Sequence, residues 1–323
     1  MTLVRIIGRD NGAGLSRDLS LLHQTLAHAG YEVTVVGFGG ERGINALRRG
    51  GFRLARAWRG RADLQIFVER IYPDLMDLGK RNLLMPNPEW FPHNWLPHLS
   101  RFDGVLCKTR HAVVIFDRLS CRTHYVGFTS EDRIDPSVVR ERSFFHLAGR
   151  SSAKGTAVLL QAWRRHPQWP RLTVVQSPTK AEIGTAATNL EHRIGYLGER
   201  ELRTLQNRSL FHACPSEMEG FGHSLMEAMS VAAVTLTTDG APMNELIAPE
   251  RGYLIPAVRE TRKDLAPRYF VDIAGIESGI ERLLSLDAGV VAEMSIAARD
   301  HFTHEARAFH GRILDAVLRT LSK

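Results

Sequence analysis

Short apolar runs of strand length alternate along this chain with stretches of helical periodicity. The first run covers Leu3–Ile7, a loop covers Gly8–Gly14, and a second run covers Glu32–Phe38. Between loop and second run, apolar residues recur at helical spacing: Leu19, Leu22, Leu26 and Ala29. A strand, a loop, a helix and a strand of this length form a βαβ unit with parallel strands and a right-handed crossover. The pattern predicts an α/β fold.

The alternation continues in two series. Further apolar runs of the first series are Leu64–Val68, Asn82–Met85, Gly104–Cys107 and His124–Phe128. After Asp135-Pro136, the runs of the second series are Phe144–Ala148, Leu172–Gln176, Leu210–Ala213 and Ala233–Thr237. We predict two doubly wound Rossmann-like domains, 1–140 and 141–300, that face a central cleft, and a C-terminal helix at 301–323 that packs back toward the first domain. A chain of 323 residues has the length of two such domains.

The composition is that of a globular protein with a sizeable core. Hydrophobic residues make up 44% and charged residues 24% of the chain. Uncharged apolar stretches are far shorter than the roughly 18 residues of a membrane-spanning helix. The apolar run after Met1 contains Arg5 and ends at Gly8, which is too short for a secretory signal. The three cysteines have no disulfide-framework or zinc-type spacing, so we predict a cytoplasmic protein with reduced thiols.

The segment Pro215–Met229 carries the most informative motif. It places Glu219 and Glu227 eight positions apart across a Gly-Phe-Gly turn, after a predicted strand and before a helix that begins near His223. Both carboxylates can therefore face one ligand. The glycines allow a close backbone approach, and the free N–H groups at the helix start favour an anion such as a phosphate. A plainer interpretation is that Ser224 and Glu227 form a capping box and that Glu219 is solvated.

A second candidate anion site is the segment Gly149–Gly155 (GRSSAKG), which follows the first strand of the second series and precedes a helix. Arg150 can form a forked contact with a phosphate, and Lys154 can supply a point charge. A basic surface turn is the simpler interpretation of this segment alone. Because both segments follow strands of the same predicted sheet, they can converge on one diphosphate.

These residues resemble the retaining nucleotide-sugar glycosyltransferases of the GT-B fold, in particular family four of their sequence classification (glycosyl transferases group 1). Three segments carry the similarity: Gly149-Arg150…Lys154-Gly155, the E-x7-E motif Glu219–Glu227, and Asp239–Glu245 (DGAPMNE). The resemblance implies transfer of a hexosyl group from a nucleotide-diphosphate sugar to a glycan or glycolipid acceptor in envelope polysaccharide or lipopolysaccharide assembly. It further implies retention of configuration. We expect no cofactor, since the nucleotide-diphosphate sugar is the donor substrate.

The resemblance also implies residue roles. Arg150 and Lys154 would hold the donor diphosphate and, with Glu219, act as the catalytic residues, since cationic groups stabilise the charge gained by the leaving diphosphate. Glu227 would accept the ribose hydroxyls. The other donor-binding candidates are Gly220, Phe221, Gly222, His223, Ser224, Tyr196 and Leu197, of which the last two would lie near the nucleobase. Two features depart from the family: the short spacing from Arg150 to Lys154, and Val231–Ala233 in place of a common glycine turn.

Candidates on the acceptor side come from the first domain, because they follow its predicted strands. They are Gly12, Gly14, Glu69, Arg70, Asn87 and Glu89. We interpret the nearby Trp90, Phe91 and Trp95 as packing residues rather than as a sugar platform. The chain has no Asp-x-Asp pair, and we interpret Glu217, in Glu217-Met-Glu219, as structural; we therefore expect no metal site.

Arginines are concentrated between Arg42 and Ala62, where seven of them are interleaved with apolar residues and no acidic residue occurs. Such a stretch can lie on an anionic membrane and bring the enzyme to a lipid-linked acceptor. We predict this peripheral contact, although a solvated basic loop fits the sequence equally well.

Two other functions compete with the glycosyltransferase. A sugar-nucleotide epimerase or hydrolase of the same fold would process the donor without an acceptor. The net charge of +7 would also suit nucleic-acid binding, but the chain has no helix-turn-helix, zinc-finger or RNA-binding signature. We therefore predict a nucleotide sugar and a glycan or lipid-linked acceptor as partners, and no nucleic acid.

Overall fold

The computed structural model describes residues 1–9, 14–39, 60–181 and 186–322. They form two compact units. Unit 1 comprises Met1–Phe128, Asp264–Ala266 and Arg307–Lys323, and unit 2 comprises Thr129–Lys263 and Pro267–Ala306. Each unit contains a parallel β-sheet with helices, which confirms the predicted pair of Rossmann-like α/β domains.

Unit 1 is built on a parallel sheet. Its strands are β1 (Leu3–Arg9), β2 (Glu32–Phe38), β3 (Ala62–Val68), β4 (Gly79–Met85), β5 (Gly104–Cys107) and β6 (Thr123–Tyr125). Its first helices are α1 (Gly14–His28) and α2 (Arg110–Arg118), and 3-10 turns cover Pro73–Leu78, Pro88–Trp90 and His93–Arg101. The strand order is β2-β1-β3-β4-β5-β6, so the direction in which strands are added reverses between β1 and β3.

The apolar periodicity of the sequence explains these elements. Ile6 and Ile7 of β1 are fully buried, and Leu22 and Leu26 of α1 are buried on the helix face that covers the sheet. The predicted strand His124–Phe128 was wrong in extent: β6 ends at Tyr125 because its partner β5 ends at Cys107, which is paired with Tyr125.

Unit 2 contains a second parallel sheet and a two-stranded hairpin. The sheet strands are β7 (Glu141–Gly149), β8 (Leu172–Gln176), β9 (Leu190–Ile194), β10 (Ser209–Cys214), β11 (Val234–Asp239) and β12 (Gly252–Pro256), and the hairpin is β13 (Arg259–Lys263) with β14 (Ala266–Phe270). The helices are α3 (Thr156–Arg165), α4 (Glu199–Arg208), α5 (His223–Ser230), α6 (Met243–Leu246) and α7 (Ile273–Leu284). The sheet order is β12-β11-β10-β7-β8-β9.

Aromatic residues form the centre of the unit 2 core. The rings of Phe144 and Phe211, on adjacent strands, stack with their centroids 4.9 Å apart, and Trp163 of α3 packs edge-on against Phe144 at 5.0 Å. All three side chains are fully buried. Such pairs contribute about 0.5–1.5 kcal/mol beyond their burial. They fix α3, and hence the loop that precedes it, against the sheet.

The last helix, α8, runs from Ala288 to Leu321 and is longer than the predicted stretch 301–323. Its residues from Arg307 onward belong to unit 1. There the ring of Phe309 packs against Phe128 with centroids 4.8 Å apart, and Thr25 Oγ1 lies 3.0 Å from His310 Nδ1. No helix in the described ranges is long and apolar enough to span a membrane.

The turn between α5 and β11 carries a measurable strain. Ala232 has φ of +56°, and a side chain in this left-handed region costs roughly 1–2 kcal/mol. We expect Ala232→Gly to stabilise the protein by about 0.5–1 kcal/mol, because the relieved strain exceeds the entropy that glycine loses on folding. Urea denaturation measures this change. The control Ala292→Gly, on an exposed face within α8, should instead lose about 1 kcal/mol; equal losses in both variants would contradict the strain.

Candidate active site

Two loops of unit 2 leave its sheet where the strand order reverses. From the centre, the chain adds β8 and β9 beside β7 on one side, and β11 and β12 beside β10 on the other. The loop after β7 carries Arg150 and Lys154, and the loop after β10 carries Glu219. The segment Asp239–Glu245 begins at the last residue of β11, at the same edge of the sheet. Loops that follow adjacent parallel strands at such a switch point form a ligand-binding crevice. The fold therefore places the sequence-predicted segments together.

The loop after β7 depends on glycine at both ends. Gly149 has φ of +55° and Gly155 has φ of +65°. A Cβ atom on Gly155 would lie only 2.2 Å from the carbonyl oxygen of Pro215, so this glycine lets the two loops touch. The N–H of Glu217 also donates to the carbonyl of Ala153 at 2.9 Å. Arg150, between these glycines, is exposed.

Lys154 joins the two loops through its side chain. Its Nζ donates to Glu219 Oε1 and, at 3.2 Å, to Ser224 Oγ. The side chains of Lys154 and Glu219 are only 16% and 11% exposed, so their ion pair is largely shielded from water. These two contacts fix the position of the ammonium group where the two loops meet.

Several charges converge on the end of β10. Burial raises the pKa of the Cys214 thiol to about 12, and the thiol also senses the charges of Lys154, Glu219 and Glu227. Both glutamates of the E-x7-E motif therefore lie near the same strand end. At neutral pH Cys214 is a neutral thiol, so it adds no charge to those of the lysine and the two carboxylates.

The Gly-Phe-Gly turn leads directly into α5. Gly222 has φ of +109° and occupies the N-cap position, so the helix begins at His223. The ring of Phe221 is buried and packs edge-on against His223, whose Nδ1 lies 2.7 Å from Ser130 Oγ. The capping-box alternative was wrong, because glycine has no side chain to cap the helix and Ser224 Oγ instead accepts from Lys154. The N–H groups of the first turn thus have no side-chain cap from the N-cap residue.

Glu227 lies on α5 and is 1% exposed. Its Oε2 accepts a hydrogen bond of 2.8 Å from Nε2 of Gln206, at the end of α4. Buried carboxylates need such donors, because an unpaired buried charge is strongly disfavoured. Sequence reasoning did not find Gln206, since nothing in the pattern of α4 marks it as a partner of a residue 21 positions away.

The hairpin β13–β14 braces the loop after β10. The guanidinium of Arg268 forms an ion pair with Glu217, and its Nε donates to Glu217 Oε2 at 2.7 Å. The backbone N–H of Tyr269 donates to the carbonyl of Glu217 at 2.8 Å. Glu217 is therefore committed to holding the loop. Among the described residues, no three His, Cys, Asp or Glu side chains are grouped so as to hold a metal ion.

The remaining donor candidates differ in their surroundings. Tyr196 is 96% exposed, and Leu197 packs against the small apolar cluster of Phe145 and Leu205.

A buried histidine lies beneath the loop after β7. His146 Nδ1 donates to the carbonyl of Ala213 at 2.6 Å, and its Nε2 lies 2.9 Å from the hydroxyl of Thr156. Burial lowers the pKa of His146 to about 4, so the ring is neutral and its Nε2 accepts from that hydroxyl. His146 thus ties the start of α3 to β10.

In unit 1, Glu69 and Asn87 meet at the carboxyl ends of β3 and β4. Asn87 Nδ2 donates to Glu69 Oε1 at 3.4 Å. Glu69 has φ of +63°, an uncommon conformation for a glutamate and one that concentrates at functional sites. Burial raises its pKa above the ordinary value, against the opposing influence of the Lys108 charge. Glu89 is buried, Arg70 is exposed, and Gly14 is the first residue of α1.

A buried ion pair beside Asn87 was missing from the sequence prediction. Lys108 Nζ donates to Asp18 Oδ2 at 2.5 Å and to Asn87 Oδ1 at 3.1 Å, and both charged side chains are buried. Lys108 follows β5, so its place after a strand was a usable signal. Asp18 lies within α1 and offered none. Gly12 and most of the segment Arg42–Ala62 (residues 42–59) lie outside the described residues.

Comparison with solved structures places the fold. The sucrose-phosphate synthase of Thermosynechococcus elongatus has a TM-score of 0.74 at 13% identity, with 100% of both chains covered. HepE of Anabaena, in complex with UDP and glucose, has a TM-score of 0.67 at 13% identity, with 99% of this chain and 100% of that chain covered. The lipopolysaccharide outer core galactosyltransferase WaaB has a TM-score of 0.66 at 12% identity, with 99% of each chain covered. The chain has the fold of the GT-B glycosyltransferases.

The segment that matches a protein-family model contains the candidate site. Residues 143–266 match the model of the family described as glycosyl transferases group 1. This segment begins in β7, ends at the first residue of β14, and includes both switch-point loops and the E-x7-E motif. No curated protein matches the chain significantly.

Proposed function

We propose that the protein is a retaining hexosyltransferase that moves a sugar from a nucleotide-diphosphate sugar to a glycan or lipid-linked acceptor, as in envelope polysaccharide or lipopolysaccharide assembly. The observation that carries this proposal is the pairing of Lys154 with Glu219 and Ser224 across two switch-point loops. These loops lie in the segment that matches glycosyl transferases group 1. The complex of HepE with UDP and glucose and the transferase WaaB support the choice of substrate class.

In the proposed reaction, Arg150 and Lys154 hold the donor diphosphate and Glu219 meets the donor sugar. The bond from the anomeric carbon to the diphosphate breaks, the acceptor oxygen bonds to that carbon from the same face, and its proton passes to a donor phosphate oxygen. The leaving diphosphate gains negative charge, which the preorganised cations stabilise. Glu227 accepts the ribose hydroxyls. No metal ion or other cofactor takes part.

On the acceptor side we propose roles for Glu69, Asn87 and Glu89 of unit 1, joined by the Lys108–Asp18 pair. The support for Glu69 and Asn87 is that they are hydrogen-bonded to each other and, through Asn87, to the buried Lys108–Asp18 pair, at the carboxyl ends of three neighbouring strands. We further propose that the protein works at the cytoplasmic face of a membrane, where the basic segment Arg42–Ala62 contacts anionic lipid.

A panel of UDP-, GDP-, ADP- and dTDP-sugars tests the proposal by thermal shift. One donor should raise the melting temperature of the wild type, because a ligand that binds only the folded state stabilises it. Glu227→Ala and Arg150→Ala should each weaken that shift. The control Arg165→Ala, at an exposed arginine 3.8 Å from Glu277, should leave it unchanged.

The outcomes separate the competing functions. If no nucleotide sugar shifts the melting temperature at millimolar concentration, the donor-site assignment is wrong. Nucleic-acid binding by the basic surface would then be the better explanation of the protein's function. Turnover of the donor without any acceptor product would instead indicate an epimerase or hydrolase. The anomeric configuration of a transferred sugar, read by NMR, tests retention.

A further inference from the structure

A chain of buried side chains runs away from Glu227. Glu227 Oε2 accepts from Gln206 Nε2 at 2.8 Å, and Gln206 Oε1 accepts from Nε of Arg133. Each of these three residues is 1% exposed. The Arg133 guanidinium in turn lies 2.6 Å from Glu199 Oε1 and 3.7 Å from Glu131 Oε2, two carboxylates near the surface. Arginine side chains are almost never fully buried unless their charge is paired.

Arg133 determines which way the amide of Gln206 points. The Nε–H of an arginine can only donate, so the amide atom that it contacts must be the acceptor Oε1. The NH₂ group of Gln206 is then turned toward Glu227 and donates to its carboxylate. The orientation is therefore imposed from Arg133 through Gln206 onto Glu227.

A second connection holds the same residues from the backbone side. The N–H of Arg133 donates to Ser230 Oγ at 3.2 Å, and that hydroxyl donates to the carbonyl of Glu227 at 2.7 Å. Asn207 Nδ2 donates to the carbonyl of Arg133 at 2.8 Å. The segment around Arg133 is thus fixed to α4 and α5 at once, so its side chain is a rigid base for Gln206.

We propose that Gln206 is a positioning residue for ribose recognition: with its amide oriented by Arg133, it holds the Glu227 carboxylate in the plane that receives the ribose hydroxyls of the donor. The proposal rests on the role of Glu227 in the proposed function. An amide whose own orientation is fixed restricts rotation of the carboxylate that it contacts, because rotation would break the hydrogen bond to Oε2. Loss of Gln206 should therefore remove selectivity for the ribose hydroxyls and not merely stability.

Nucleoside diphosphates with and without ribose hydroxyls test this role. Dissociation constants of the full-length protein are measured for UDP, GDP and ADP, each beside its 2′,3′-dideoxy counterpart. For the base that binds, the wild type should favour the ribose form by about 10- to 100-fold, as expected for hydrogen bonds to a charged group. Glu227→Gln should weaken that preference, and its value is the lowest ribose preference that we expect the assay to show.

Two variants of Gln206 then report on its function. Gln206→Glu keeps an acceptor for Arg133 but turns an oxygen toward Glu227, and Gln206→Met removes both contacts with little change in volume. Both should reduce the ribose preference to within about threefold of the Glu227→Gln value. The methionine variant keeps the test available if the added charge prevents folding. Gln161→Glu, on an exposed position of α3, is the matched control and should keep the wild-type preference.

Each result decides between distinct failures. If no nucleoside diphosphate binds the wild type, the proposed function is wrong, and so is this inference, which rests on it. If the wild type binds but shows no ribose preference, Glu227 does not contact the ribose and the inference is wrong. If Glu227→Gln loses the preference while folded Gln206 variants keep it, Gln206 has a structural role alone.

Discussion

Replacing Lys154 with methionine is expected to lower kcat/KM by about 10²–10³-fold, the loss typical when one preorganised group that stabilises transition-state charge is removed. The structure supplies the reason: the ammonium is 16% exposed and is held between Glu219 and Ser224. A cation in such a position acts on developing charge more strongly than it would in water. Initial rates with the donor selected by the panel measure the effect.

A double variant separates two explanations of that loss. Lys154 neutralises Glu219, so the single change also leaves a carboxylate that is only 11% exposed without its cation. In Lys154→Met/Glu219→Gln this uncompensated charge is gone. A rate in the double variant well below that of Glu219→Gln would show that Lys154 acts on the diphosphate, whereas a rate equal to that of Glu219→Gln would show that it only neutralises Glu219. Lys80→Met, at a lysine 62% exposed, is the control and should keep full activity.

The sequence predicted the parts of the site that depend on local order. The boundaries of β8 at Leu172–Gln176 and the start of α5 at His223 match the prediction, because apolar periodicity and glycine positions determine such elements locally. Placing the Lys154 and Glu219 loops together required only the rule that ligand-binding loops follow parallel strands at a switch point.

The sequence did not indicate which buried polar side chains pair with each other. Lys108 is paired with Asp18 across 90 positions and Arg133 with Gln206 across 73, and nothing in either segment indicates the other. Their contacts depend on which strands and helices become neighbours after folding. The capping box failed for a related reason: Ser224 suits a helix start, but Lys154, 70 positions earlier, binds its hydroxyl instead.

Gly155→Ala is expected to destabilise unit 2 by about 3–4 kcal/mol. The new methyl group would sit 2.2 Å from the Pro215 carbonyl oxygen, far inside van der Waals contact, and alanine would also occupy a left-handed φ of +65°. The conformational strain alone costs roughly 1–2 kcal/mol, and the rest comes from pushing apart two loops that are also joined by the hydrogen bond from Glu217 to Ala153. Urea denaturation gives the free energy of unfolding.

Gly149→Ala measures the cost of a left-handed backbone conformation without the steric clash that Gly155→Ala adds. Gly149 has a similar φ of +55°, yet a Cβ atom there would meet nothing within 4 Å, so its substitution should cost only about 1–2 kcal/mol. The difference between the two variants therefore measures the close approach of the loops. Equal losses would mean that the loops can separate freely, and the crevice would then lack the rigidity that electrostatic preorganisation of Lys154 requires. A larger loss in Gly155→Ala, accompanied by weaker donor binding, would show that contact between the loops holds Lys154 in place.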